Sequence, residues 1–175
     1  LSNNIIAKNT WILDKNLSEI NFEVPLLLTE NIKGNFTEFD GMIFVDKNIP
    51  QNNKAIFSVN IKSIQLNYEK YKDLLLSNIF FNEKKYPVAF IDTKKFDLPN
   101  KTYSFHINSE LKIKHISNIV PIEIELNYLS NDLVNVKAEF EFSRKSYELG
   151  KKTWSSSLIL QDKIYLTANL FIKKN

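Results

Sequence analysis

Ile122-Glu123-Ile124-Glu125-Leu126-Asn127-Tyr128, a polar break at Ser130-Asn131-Asp132, then Asn135-Val136-Lys137-Ala138-Glu139-Phe140-Glu141-Phe142: here apolar and polar side chains alternate one for one, twice over, around a turn signal. A period of two sends successive side chains to opposite faces of a sheet. One face is apolar and the other charged, the pattern of antiparallel strands with one wet side. Outward from this stretch the period repeats. Ile20, Phe22 and Val24 alternate with Glu19, Asn21 and Glu23, and Phe57, Val59 and Ile61 with Ser58, Asn60 and Lys62. Tyr103, Phe105 and Ile107 form another such face, and the run from Ile164 through Leu166, Ala168 and Leu170 to Ile172 is the last.

Turn signals separate the runs: Asp46 to Asn53, Leu98-Pro99-Asn100, and Ser130-Asn131-Asp132. Pro121 lies inside a strand pattern, where its missing N–H predicts a bulge or an edge. Helical spacing at Tyr71, Leu74, Leu75 and Asn78 predicts a short helix within Tyr68 to Ile79. A second irregular or helical segment is expected over Ser143 to Lys152, ending near Gly150. The total is about eight strands, most of them long, with no linker, repeat or low-complexity segment. Such a sheet must pack on a second sheet or curl onto itself. Closed as a barrel, eight strands leave an interior that side chains fill or that holds one small ligand. The run ending at Ile172 is long enough to pair back onto the first strand.

Composition narrows the function. The chain has 175 residues, enough for one substantial core. Thirteen Phe and only 3 Gly mean many rings to pack and few positive-φ positions. Charge is mild, with 23 basic against 20 acidic residues, and Arg144 is the sole arginine. Arginine is the preferred reader of phosphates and base edges, so no nucleic-acid partner is expected. With no cysteine there is no disulfide, thiolate nucleophile or Cys-type zinc site. No run reaches the roughly 18–20 apolar residues that span a bilayer as a helix. The chain opens on Leu1-Ser2-Asn3-Asn4 and its one Met is Met42, so a removed upstream targeting segment is expected. No Gly-rich phosphate loop, nucleophile elbow or paired-carboxylate motif is present, and the expectation is a non-enzyme.

Several local motifs occur in an order that resembles the YceI-like family, the polyisoprenoid-binding, lipocalin-like barrels of bacteria. They are Trp11-Ile12-Leu13-Asp14 with Leu17-Ser18-Glu19-Ile20-Asn21-Phe22; Gly34-Asn35-Phe36-Thr37-Glu38-Phe39-Asp40-Gly41; Asp73-Leu74-Leu75-Leu76-Ser77 with Phe80-Phe81-Asn82 and Tyr86-Pro87; Leu111 through Val120; Arg144-Lys145-Ser146-Tyr147; and Asp162-Lys163-Ile164. The chain departs from the pattern at Leu17 and Leu75, where family members usually carry His, at His115 and Ser117 for Gly and Thr, and at Ser146 for Asp. Loss of both His removes any polar recognition that relied on them. The resemblance implies one antiparallel, up-and-down, eight-stranded barrel domain over residues 1–175, with one or two short helices. It further implies a carrier without cofactor that encloses an isoprenoid or other long acyl chain, is exported to the periplasm or beyond, and forms homodimers.

On that reading the candidates to line a tunnel are Phe36, Phe39, Phe57, Phe80, Phe81, Phe90, Phe105, Phe140 and Phe142. The alternative for the set is a solid aromatic core. Phe80-Phe81 is either a gate at the barrel mouth or a plug over the core. Arg144 either meets a phosphate or carboxylate head group or clamps the barrel end, on Trp11 or an acid. His106 falls in the polar phase of its strand and His115 in a turn, so no metal site is expected. Asp40, Asp73 and Asp162 fit turns and caps. The Lys pairs at 84–85, 94–95, 151–152 and 173–174 read as solvated surface, or as a transient contact with an anionic membrane if they cluster at a mouth.

Overall fold

The computed structural model describes residues 10–46, 48–97 and 103–175. The turn expected at Leu98-Pro99-Asn100 lies outside them, as do Leu1 to Asn4. Eleven strand segments share one antiparallel sheet: β1 (Thr10–Leu13), β2 (Glu19–Val24), β3 (Ile32–Phe36), β4 (Phe39–Phe44), β5 (Lys54–Asn60), β6 (Ile64–Leu66), β7 (Val88–Asp92), β8 (Ser104–Ile113), β9 (Ile116–Ser130), β10 (Leu133–Ser143) and β11 (Lys163–Lys174). Both β1 and β2 lie along β11; β4 pairs with β1 and β3 with β2; β5 pairs with β4 and β6 with β3. These six segments are therefore three strands, each broken once. With β7 to β11 they make a ring of eight neighbours in chain order, closed where β11 meets β1 and β2. The fold is the up-and-down eight-stranded barrel that the alternation and the resemblance predict.

The breaks fall at residues 14–18, 37–38 and 61–63, and serine hydroxyls fill two of them. The Phe171 N–H donates to Ser18 Oγ (2.9 Å), and that hydroxyl donates to the Asp14 carbonyl (2.6 Å). The Glu38 N–H donates to Ser63 Oγ (3.0 Å), which donates to the Asn60 carbonyl (2.7 Å). Each serine thus replaces ladder bonds that the interruption removes. The breaks also change the side-chain phase. Phe36 and Phe39 stand three apart, which in an unbroken strand would send them to opposite faces, yet both are buried. Ile61, the first residue of the third break, and Ile64, the first after it, are likewise three apart and both buried.

The other half of the wall, β8 to β11, is unbroken and long. β10 and β11 match over eleven consecutive pairs from Leu133↔Lys173 to Ser143↔Lys163. Pro121 is paired with Asn108 across β8, and the ladder with β10 stops two residues away at Glu123, so the proline sits where β9 has a free edge. The predicted short helix is α1 (Lys72–Leu76), which follows a 3-10 turn at Glu69–Tyr71. It stops at Ser77, whose hydroxyl donates back to the Leu74 carbonyl (2.6 Å), the local bond that lets serine end a helix.

Between β10 and β11 the chain crosses one barrel end through two 3-10 turns, Lys145–Tyr147 and Lys152–Ser155. Arg144 is 1% exposed there. Its Nε donates to the Gln161 carbonyl (3.0 Å), Nη1 to Leu149 (2.9 Å), and Nη2 to Leu160 (2.7 Å) and Ser156 (3.4 Å). The fork holds four backbone carbonyls of one loop, rather than stacking on Trp11 or gripping a carboxylate. Gly150 has φ +92°, and a Cβ there would stand 2.7 Å from Arg144 Nη1.

Candidate ligand cavity

The inward phases of the eight strands do not meet in the middle. They leave a cavity of about 420 Å³, walled almost wholly by apolar side chains. That is within the usual range of small-molecule sites, about 300–1,000 Å³. Polar lining groups lie toward opposite ends and are already engaged. Thr93 Oγ1 accepts the Ala55 N–H (2.8 Å) and Asn53 Oδ1 accepts the Asp46 N–H (2.9 Å), at the end where β5 begins. Arg144 lies at the other end, among its carbonyls.

Of the residues singled out from the sequence, Phe36, Phe57, Phe80, Phe81, Phe105, Phe140 and Phe142 line the cavity. Phe39 does not: it is buried in the packed core beside the second break. Phe90 borders the cavity but is 43% exposed, being out of phase with the inward Ala89 and Ile91. Much of the wall is aliphatic, with Ile20, Val59, Ile122, Val136, Leu166 and Leu170 among its members. Alternation phase marks these as inward, although they carry no chemical signature of their own.

A second space of about 290 Å³ lies outside the first, between Leu26–Thr29, α1 and the loop carrying Trp154 and Leu158–Leu160. Ile32, Leu75, Phe80 and Leu160 border both spaces. Phe80 is 4% exposed and meets the Trp154 ring edge-on at 6.0 Å. It therefore stands as a partition between the two.

Three titrating groups shifted by burial lie at the Arg144 end, each with a structural partner. Burial lowers the Arg144 pKa and raises that of Tyr147, whose hydroxyl donates to the Leu111 carbonyl (3.1 Å). Burial also lowers the pKa of Lys114, helped by the nearby Lys151 ammonium, while its Nζ donates to the Glu148 carbonyl (2.8 Å). His106 and His115 are exposed, and the His115 ring lies 5.7 Å from that of Tyr86. Asp40 accepts from the Gly41 N–H (2.8 Å), and Asp162 from the Lys145 N–H (3.1 Å). Among the described residues no three His, Cys, Asp or Glu side chains gather as a metal site. Ser109 Oγ is the one buried side-chain polar atom among them without a hydrogen-bond partner.

The profile of the YceI-like domain matches residues 11–171. The chain belongs to the YceI-like family. A UPF0312 protein of Photorhabdus laumondii is 25% identical over 150 residues, which cover 81% of this chain and 77% of that one. The fold is shared with Burkholderia cenocepacia BcnA, at TM-score 0.81 and 17% identity, over 91% of this chain and 98% of that one. It is shared also with a polyisoprenoid binding domain from Saccharophagus degradans, at TM-score 0.75 and 13% identity, over 96% and 100%. The Campylobacter jejuni YCEI protein follows at TM-score 0.74 and 20% identity, over 86% and 90%. In this YceI-like barrel Leu17 and Leu75 differ in placement. Leu17 is exposed in the first break, whereas Leu75 lies on the cavity partition.

Proposed function

We propose that this YceI-like barrel is a non-enzymatic carrier that holds one elongated apolar lipid, a polyisoprenoid or long-chain acyl molecule, within its wall. The observation that carries the reading is the cavity itself: about 420 Å³ inside a closed barrel, with almost no polar surface. An apolar chain entering it leaves water at roughly 0.8 kcal/mol per CH₂. Because its source is a membrane of similar polarity, the net preference is small, and a small preference suits reversible transfer. The Saccharophagus degradans domain, whose fold this chain shares, is described as polyisoprenoid-binding, which supports the same ligand class. Leu75, apolar and on the partition, favours a site that reads the chain rather than a head group. Arg144, occupied by four carbonyls, serves this reading as an anchor of the barrel end more than as a head-group contact. Export to the periplasm or beyond, brief contact with a membrane surface and a homodimeric state complete the proposal.

Native mass spectrometry of freshly purified protein, followed by solvent extraction, tests it. A stoichiometric prenyl or acyl lipid is the expected result. A clean apo mass with no uptake after incubation with geranylgeraniol and hexadecanoic acid would overturn it.

A further inference from the structure

Two of the three glycines lie on the inner face of the wall, each directly across from a cavity-lining phenylalanine. Gly34 of β3 pairs with Phe22 of β2, and Gly41 of β4 with Phe57 of β5. Neither glycine has the left-handed φ seen at Gly150, so backbone conformation does not require them. Space does. A Cβ on Gly41 would stand 2.2 Å and 2.4 Å from ring carbons Cδ1 and Cε1 of Phe57. A Cβ on Gly34 would stand 2.4 Å from Cζ of Phe22 and 2.3 Å from the Gln65 carbonyl oxygen. Both rings therefore reach over the neighbouring strand with an edge in the space that a side chain at the glycine would fill.

We infer that Gly41 and Gly34 set the bore of the cavity and thereby which thickness of chain it admits. Each glycine lets one ring fold against the wall, and the width so kept is what a methyl-branched chain needs beyond a straight one. This rests on the carrier reading for its ligand but not for its geometry. The two positions differ in use. A side chain at Gly34 meets main chain, which cannot move cheaply, whereas at Gly41 only the Phe57 ring stands in the way. The cavity that this ring lines is the space into which it yields.

The test is Gly41→Ala alongside Phe57→Ala and the double variant, each first shown folded by circular dichroism. The probes are geranylgeraniol, branched, and hexadecanoic acid, straight, with loading read by native mass spectrometry. Gly41→Ala is expected to lower the ratio of branched to straight loading by about tenfold, the discrimination one methyl's misfit produces in an apolar pocket. The double variant restores it, since no ring remains to be displaced. A crystal structure of Gly41→Ala pressurised with xenon gives a readout independent of lipid: the Phe57 ring stands in the lumen and xenon density shrinks. If the wild type loads neither probe, the carrier reading fails while the xenon experiment still decides the bore. An unchanged ring position or xenon density in Gly41→Ala would overturn the inference, as would an unchanged loading ratio in a loading protein.

Discussion

The two halves of the wall solve the same closure problem differently. From β8 to β11 the strands are long; the β8–β9 and β10–β11 ladders run without interruption, and the β9–β10 ladder shifts register once, between Leu133 and Val134. From β1 to β6 every strand is broken, and the breaks lie side by side at 14–18, 37–38 and 61–63. A barrel of eight strands must turn corners, and this one turns them on the N-terminal side, leaving the C-terminal side as a regular sheet. Each half ends its unpaired backbone with side chains: a buried arginine where β10 and β11 part, serine hydroxyls in the breaks. The lesson is that regularity and curvature have been assigned to separate stretches of sequence.

The largest expected effect removes the anchor of the regular half. Arg144→Ala takes the guanidinium from four carbonyls, of which only that of Ser156 is seen to keep backbone N–H donors, and should lower unfolding stability by about 3 kcal/mol in urea titration. Arg144→Lys should recover little of it, because a compact ammonium cannot reach all four. An equally stable Arg144→Lys would show that the loop holds itself. Next is the seam where the halves meet. Ile172 is 2% exposed, between Leu13 and Val134, and Ile172→Ala should cost about 2–5 kcal/mol by the same titration. Ser18→Ala and Ser63→Ala, which open the breaks, should each cost about 1–3 kcal/mol. Losses near zero would mean the breaks need no seal. The smallest effect has the opposite sign: Ser109→Ala removes a buried hydroxyl without a partner and should raise the melting temperature slightly.

Acid should also separate the halves. The Asp14 carboxyl is held below its usual range by Lys173, Asp40 by Lys15, and Asp46 by the Ile49 N–H. At Asp92 burial opposes the shift, but the Lys94 N–H and the Lys54 ammonium outweigh it. A carboxylate with a lowered folded pKa stabilises the fold above its ordinary pKa and loses that contribution as pH falls through the lowered value. All four groups lie on β7 or earlier. Hydrogen exchange below about pH 4 should therefore show protection fading in the broken half before β9 to β11. Simultaneous loss would mean that the barrel titrates as one unit.

The regular half is the legible half. Strict alternation from Ile122 to Phe142 and from Ile164 to Ile172 gives β9, β10 and β11 with their inward faces. The breaks are harder to read, because Ser18 and Ser63 look like ordinary polar positions of a strand. The trace they do leave is the spacing of three between Phe36 and Phe39, and between Ile61 and Ile64. Phe39 is expected in the lining as one of the set of phenylalanines; beside the second break it is packed core instead. The cavity itself leaves no mark in the sequence, since a filled barrel and a hollow one share the same alternation. The short helix expected within Tyr68 to Ile79 is there, and it ends where Ser77 bonds back to its own backbone.

The seam between β11 and the first two strands also governs when the molecule can become a container. Every other pairing in the ring joins neighbours along the chain, but Phe171 reaches back 153 residues to Ser18. Seven strands can form a curved, open sheet from local contacts alone, its apolar concave face bare to whatever is nearby. Closing the loop is the slow, non-local event. Any apolar molecule lying on that face when β11 docks would be enclosed in the cavity without ever passing through a mouth.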